Sequence, residues 1–222
     1  MSSTDFTPVG TEEYPVIHEI ANAVTHGIGV AFSFAALFVL VFRAAWYAPE
    51  SVRTVAVFSY WVFGLSLVLL YTASTVYHAV WNKRAKQYLN VLDHSAIYVL
   101  IAGSYTAFAL NLLGSSLGWT IVGLNWALAI VGIATYAVYG NRLPWVSLGL
   151  YLFMGWLIIF AIRPLILTAA PHTIWLLLLG GLSYTFGCYF FVKQNCWWAH
   201  PVWHLFVLGG SFFHVLAAYW IY

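Results

Sequence analysis

A chain of 222 residues that is 63% hydrophobic and only 6% charged cannot cover a globule with a hydrated surface, because soluble domains carry about 25% charged residues. Its mean hydropathy of +0.87 makes lipid the solvent for most of it. A net charge of +2 is too small to point to nucleic acid as a partner.

The chain opens with MSSTDFTPVGTEEYPVIH, polar and acidic, with no basic n-region and no small-residue cleavage site behind a short apolar core. We read no removable signal peptide there, but a short polar cytoplasmic segment over 1–18, followed by one membrane domain over 19–222. A spanning helix needs about 20 mostly apolar residues. Seven such runs follow in order, at 20–42, 54–80, 91–113, 119–139, 145–162, 172–192 and 200–221. The connections between them read APES, WNKRAKQ, GSSLG, GNRLP, RPLILTAAP and KQNCWWA. The runs are continuously apolar and do not alternate, which favours helices over a barrel. The predicted fold class is therefore all-α integral membrane: a seven-transmembrane helix bundle.

Cytoplasmic loops retain positive charge. The connections after runs two, four and six hold Lys83, Arg84, Lys86, Arg142 and Lys193; those after one, three and five hold Arg43, Arg53 and Arg163. This bias puts the N-terminus in the cytoplasm and, with seven spans, the C-terminus outside. Trp81, Trp145, Trp197, Trp198 and Trp203 fall near span ends, where amphipathic rings sit at the headgroups. Cys188 and Cys196 have no metal-type spacing and read as a core residue and a loop thiol. Gly27, Gly29, Gly149, Gly155, Gly180, Gly181, Gly187, Gly209 and Gly210 read as helix-packing positions.

Ionisable side chains inside spans are costly and mark function by default. Glu19, Asn22 and His26 begin the first run, on one helical face. Ser74 and His78 close the second, Asp93 and His94 open the third, and His200 and His204 open the seventh. Odd spans start on the side where even spans finish, so all of these gather near one membrane face. The convergence depends only on the order of the spans. His200 and His204, one turn apart, can present two nitrogens to a zinc ion, and His78 can supply a third if spans two and seven pack together. Asp93 is then the natural partner of a zinc-bound water, with Ser74 holding that water or orienting a ligand. The pair alone fits better an imidazole set bonded to carbonyls or lining an aqueous cavity; His78 and Asp93 at the same depth tip the reading towards zinc. Pro201 suits a first helical turn and puts His200 at the helix start.

The remaining polar residues read differently. His94 points to another side of its helix and lies outside the ligand set. Glu19, Asn22 and His26 read as an interhelical polar network, His214 as an interhelical hydrogen-bonding residue, and His18 and His172 as interface or loop residues. A retinal Schiff base is excluded because the three lysines lie in loops or at a span edge. Bis-histidine haem is excluded because His200 and His204 share one side.

The stretches EIANAVTHGIG (19–29), ASTVYHA (73–79), LDHSAIYVLIAGSYT (92–106), MGWL (154–157) and HPVWHLFVLGGSFFH (200–214) resemble the hemolysin III family. These are TrhA-type bacterial membrane homeostasis proteins, related to the progestin and adiponectin Q receptors. The resemblance runs from the first span to the last. It implies a multi-pass protein of the bacterial plasma membrane, with zinc held near the cytoplasmic side by His78, His200 and His204, and with Ser74 and Asp93 acting through the zinc-bound water. Where bacterial members often have Asn before the last motif, this chain has Ala199, a neighbour and not a ligand.

Three functions follow as expectations. One is a zinc-dependent hydrolase of lipid amide bonds, like the alkaline ceramidases that the superfamily resembles, with membrane lipids as substrate. The second is a non-enzymatic zinc-stabilised sensor or regulator in membrane lipid and energy homeostasis. The third is a cytolytic or ion-conducting protein. Pore formation is opposed by the lack of an amphipathic insertion segment and by polar residues too shallow to line a pore.

Overall fold

A computed structural model describes residues 16–193, 196 and 198–222. Of the polar segment expected over 1–18, all but its last three residues lie outside the described ones, as does Trp197. Among the described residues, seven helical segments are long and apolar enough to cross a membrane, and the protein is a multi-pass membrane bundle. The spans are α1 (Val16–Tyr47), α2 (Glu50–Ala79), α3 (Lys83–Leu112), α4 (Ser115–Tyr139), a broken fifth built from α5 (Pro144–Gly155) and α6 (Ile162–Thr168), α7 (Pro171–Phe191) and α8 (Ala199–Tyr219).

The turns have local causes. Pro49 precedes α2, Pro144 and Pro171 occupy first helical turns, and the Asn82 side chain accepts from Ala85 N at the start of α3 (3.0 Å). Gly114 takes φ of +78° before α4, a left-handed conformation natural to glycine.

Most helices outrun the sequence reading. Arg43 was expected in a connection but lies inside α1, one turn from its end. Its guanidinium stacks on Tyr219 (3.9 Å) and donates to the Tyr222 carbonyl, so the charge finds partners at the membrane edge. Lys83, Arg84 and Lys86, expected in a loop, sit in the first turn of α3.

The fifth span departs most from expectation. RPLILTAAP, read as a connection, is helical through Thr168. The span instead breaks earlier, at a 3₁₀ stretch over Leu157–Ala161. Pro164 lacks the N–H that would continue the ladder. Tyr105 from α3 repairs the gap: its hydroxyl donates to Gly155 O (2.9 Å) and accepts from Ile158 N (2.8 Å). Interrupted backbone at membrane depth is tolerated when a neighbouring helix re-satisfies it in this way.

Helices adjacent in sequence pack together from α1 to α4, α7 packs along α8, and α8 returns to α1. In α3, 72% of the apolar window is buried, against 17% in α7, so α3 is the inner span and α7 faces mostly lipid. Tyr60, Phe63, Leu67 and Tyr71 of α2 are fully buried in the core. Tyr71 crosses to Ser211 (2.7 Å) and Tyr60 to the Ala218 carbonyl (2.6 Å), tying α2 to α8.

The glycine reading holds in part. A Cβ on Gly29 would lie 2.3 Å from the Tyr71 ring, and one on Gly180 2.2 Å from His214. Gly149 and Gly155 meet nothing within 4 Å, so they are not close-packing positions.

Candidate metal centre

Four helix ends build the site. The start of α1 brings Glu19, Asn22, Thr25 and His26; the end of α2 brings Ser74 and His78; the start of α3 brings Lys86, Asp93 and His94; and the start of α8 brings His200 and His204. The convergence expected from span order is what the fold produces.

His78, His200 and His204 each offer a ring nitrogen, and these atoms lie within 4.8 Å of one another. Their ring centroids are 4.7–5.2 Å apart. His78 and His204 are each 2% exposed and His200 is half-buried. These three can hold a metal ion; among the described residues no other group of His, Cys, Asp or Glu is so arranged. Pro201 leaves Ala199 and His200 as the first helical residues of α8, and the two histidines still face one centre.

The hydrogen bonds indicate which nitrogen His78 and His204 present. His78 Nδ1 donates to Glu19 Oε2 at 2.6 Å, so its Nε2 is the nitrogen left for the site. That Nε2 is buried with no hydrogen-bond partner, which in a membrane interior is costly without a ligand. Thr25 Oγ1 stands 3.2 Å from His204 Nδ1. Its one proton goes to the carbonyls of Ala21 and Asn22 (2.9 Å each), so it accepts from His204 Nδ1 and leaves Nε2 as the acceptor there too. Neutral imidazoles with an outer partner on one nitrogen and a lone pair on the other are the form in which histidine binds a cation.

Asp93 and Ser74 are both buried. With His26, His94, His200 and His204 they line a cavity of about 20 Å³, room for one water molecule. His26 is 3% exposed, stacks on His204 with centroids 3.6 Å apart, and meets the edge of Tyr71. The network expected of Glu19, Asn22 and His26 is present in part: Glu19 and Asn22 both reach His78 Nδ1, at 2.6 and 3.4 Å, whereas neither ring nitrogen of His26 has a hydrogen-bond partner. His94 donates Nδ1 to Asn90 O of its own helix (3.0 Å) and stacks on Tyr136, outside the ligand set.

Deeper in the bundle an apolar chamber of about 100 Å³ is lined from α2, α3, α5, α7 and α8. It shares Leu70, Ile97, Trp203 and Val207 with the small cavity, so the two adjoin. The fifth-span break, through Tyr105, Gly155 and Trp156, forms part of its wall. His214 also lines it, its Nε2 donating to Leu177 O of α7 (3.3 Å), the interhelical role expected. His18, expected in an interface or loop, is buried in the first turn of α1; His172 begins α7 and meets Trp220 edge-on. Cys188 lines the chamber as a free thiol and Cys196 is free beyond α7.

Sequence reasoning left Lys86 and Thr25 out of the site. Lys86 looked like one more loop cation. It folds inward to pair with Glu19, and its ammonium lies 5.1 Å from the centre of the Tyr77 ring. The signal available was its place two turns before Asp93 on the same face of the same helix.

Residues 14–215 match the family model described as "Haemolysin-III related". The chain is 45% identical to "Hemolysin-3" of Bacillus cereus over 204 residues, 90% of this chain and 91% of that one. It is 43% identical to "Hemolysin-3 homolog" of Bacillus subtilis (strain 168) over 206 residues, 91% and 95% of the two chains. A more distant relative, "Monocyte to macrophage differentiation factor" of Homo sapiens, is 33% identical over 170 residues, 71% and 67% of the two. With its seven spans and its three converging histidines, the chain belongs to the hemolysin III family.

Proposed function

We propose that the protein is a zinc-dependent membrane hydrolase acting on lipid amide bonds, with a role in membrane lipid homeostasis. One observation carries the reading: His78, His200 and His204 face one centre beside a one-water cavity that holds Asp93 and Ser74 and adjoins an apolar chamber. Three imidazoles with a polar cavity alongside suit zinc in its catalytic form, which keeps one position open. Zinc held there supplies a lowered pKa for water and polarisation of a carbonyl.

The chain's own residues do the rest. The apolar chamber takes the acyl chain of an amphiphile entering from the bilayer and sets its amide at the depth of the histidines. The Asp93 carboxylate accepts the proton of the attacking water and returns it to the amide nitrogen as the C–N bond breaks. Ser74 Oγ orients the groups in the cavity. Helices on every side exclude bulk water from the bond being cut. The positive residues at this end of the bundle, Lys83, Arg84, Lys86, Arg142 and Lys193, support placing it at the cytoplasmic leaflet.

The test is direct. Purified, zinc-loaded protein given a ceramide in mixed micelles should release fatty acid, and Asp93→Asn should slow it by about 100-fold or more. A wild-type rate no higher than that of His204→Ala refutes the hydrolase. The fully buried Tyr60, Phe63, Leu67 and Tyr71 fill the mid-depth interior, which speaks against the conducting or cytolytic alternative.

A further inference from the structure

We propose that Glu19 is a positioning residue of the metal centre, holding His78 in the orientation and tautomer that binding requires although α1 contributes no ligand. The inference rests on the metal reading above. Glu19 is 3% exposed, and its two oxygens are used separately. Oε2 accepts from His78 Nδ1 at 2.6 Å, and Oε1 accepts from Lys86. The bond to Nδ1 leaves Nε2, buried and without a hydrogen-bond partner, as the nitrogen His78 can offer to an ion shared with His200 and His204. It also places the lone pair on Nε2 and raises its donor strength, since the partner at the other nitrogen is an anion. A histidine ligand whose second nitrogen is held by a carboxylate is a common device for tuning affinity.

The energetics favour this over simple stapling. A buried ion pair is a poor way to hold two helices, because desolvation offsets its attraction and apolar side chains of similar volume serve as well. α1 and α2 already pack along their length, with Gly29 seated against Tyr71, so the pair is not needed to join them. It is needed to aim one ring. Lys86 completes the arrangement by fixing the carboxylate from α3, so three helices that lend a single ligand between them define that ligand's position.

The test compares Glu19→Gln with Lys86→Gln and wild type in detergent, using cobalt(II) titration followed by visible absorption, and zinc affinity by competition with a chromophoric chelator. Glu19→Gln should weaken zinc by 10- to 100-fold and shift the cobalt band, while Lys86→Gln, which breaks the ion pair but leaves the His78 contact, changes affinity less than Glu19→Gln does. Should Glu19→Gln not fold, Glu19→Asp decides: its carboxylate is drawn back by one methylene, so affinity falls and the band moves. Equal affinity and an unchanged band in the folded variant overturn the inference while leaving the metal site standing. Equal losses in Glu19→Gln and Lys86→Gln reduce Glu19 to a structural tie and overturn it too. If wild type binds no more metal than His200→Ala, the metal reading itself fails, and the inference with it.

Discussion

Tyr105→Phe isolates the repair of the broken fifth span. The substitution keeps the ring and removes one hydroxyl, so packing is conserved while Gly155 O and Ile158 N lose partners at 2.9 and 2.8 Å. Double-mutant cycles in a membrane protein average about 0.6 kcal/mol per hydrogen bond, which sets a floor near 1.2 kcal/mol for two. Leaving a buried polar group unsatisfied costs about 1–3 kcal/mol, and here both orphans are backbone groups, which cannot turn away to a new partner. We expect a loss of about 2–3 kcal/mol, or roughly 4–12 °C for a domain of this size. The assay is thermal unfolding in one detergent, followed by intrinsic tryptophan fluorescence, with the exposed Tyr139→Phe as the control. A shift for Tyr105→Phe no larger than for Tyr139→Phe would show that the break is satisfied some other way and that the account of the fifth span is wrong.

Further outcomes follow from the same geometry. Metal analysis of purified protein should fall from one equivalent to background in His78→Ala, His200→Ala and His204→Ala alike; retention in any one of them removes that residue from the ligand set. Zinc at about 100 times its Kd should stabilise wild type by about 2.7 kcal/mol, and His204→Ala should show no such zinc-dependent rise in Tm. Gly29→Ala, whose new methyl would lie 2.3 Å from Tyr71, should destabilise by about 1–3 kcal/mol, whereas Gly149→Ala, facing open space, should be neutral or mildly stabilising. With Cys188 replaced by Ser, Cys196 should react with a membrane-impermeant maleimide in inside-out vesicles and not in intact cells; the reverse pattern inverts the orientation argued from the positive residues.

Much of this was readable before any coordinates. Seven apolar runs gave seven spans because hydrocarbon thickness dictates helix length, and the meeting of His78 with His200 and His204 followed from counting which ends of which spans share a leaflet. Three things were hidden, each for a physical reason. The fifth-span break was misplaced because Arg163 and Pro164 look like a loop, whereas the helix accepts Pro164 in its first turn and the irregular backbone lies ahead of it, secured by a tyrosine fifty residues away. Lys86 looked like a cytoplasmic charge because its sequence neighbours are polar; only the approach of α1 shows that its ammonium turns inward. The function of Glu19 could not be read from its helical face, since that face says which residues sit together and not which atom of His78 one of them touches.

The order of the spans has a biosynthetic consequence. Two of the three nitrogens reside in α8, the seventh span to leave the ribosome, while the third and its carboxylate are inserted with the first two. An ion can be captured only once α8 has threaded back against α1, so occupancy would report that the seventh span has been inserted, and chains stalled short of it would remain one-ligand fragments that any cellular chelator could strip.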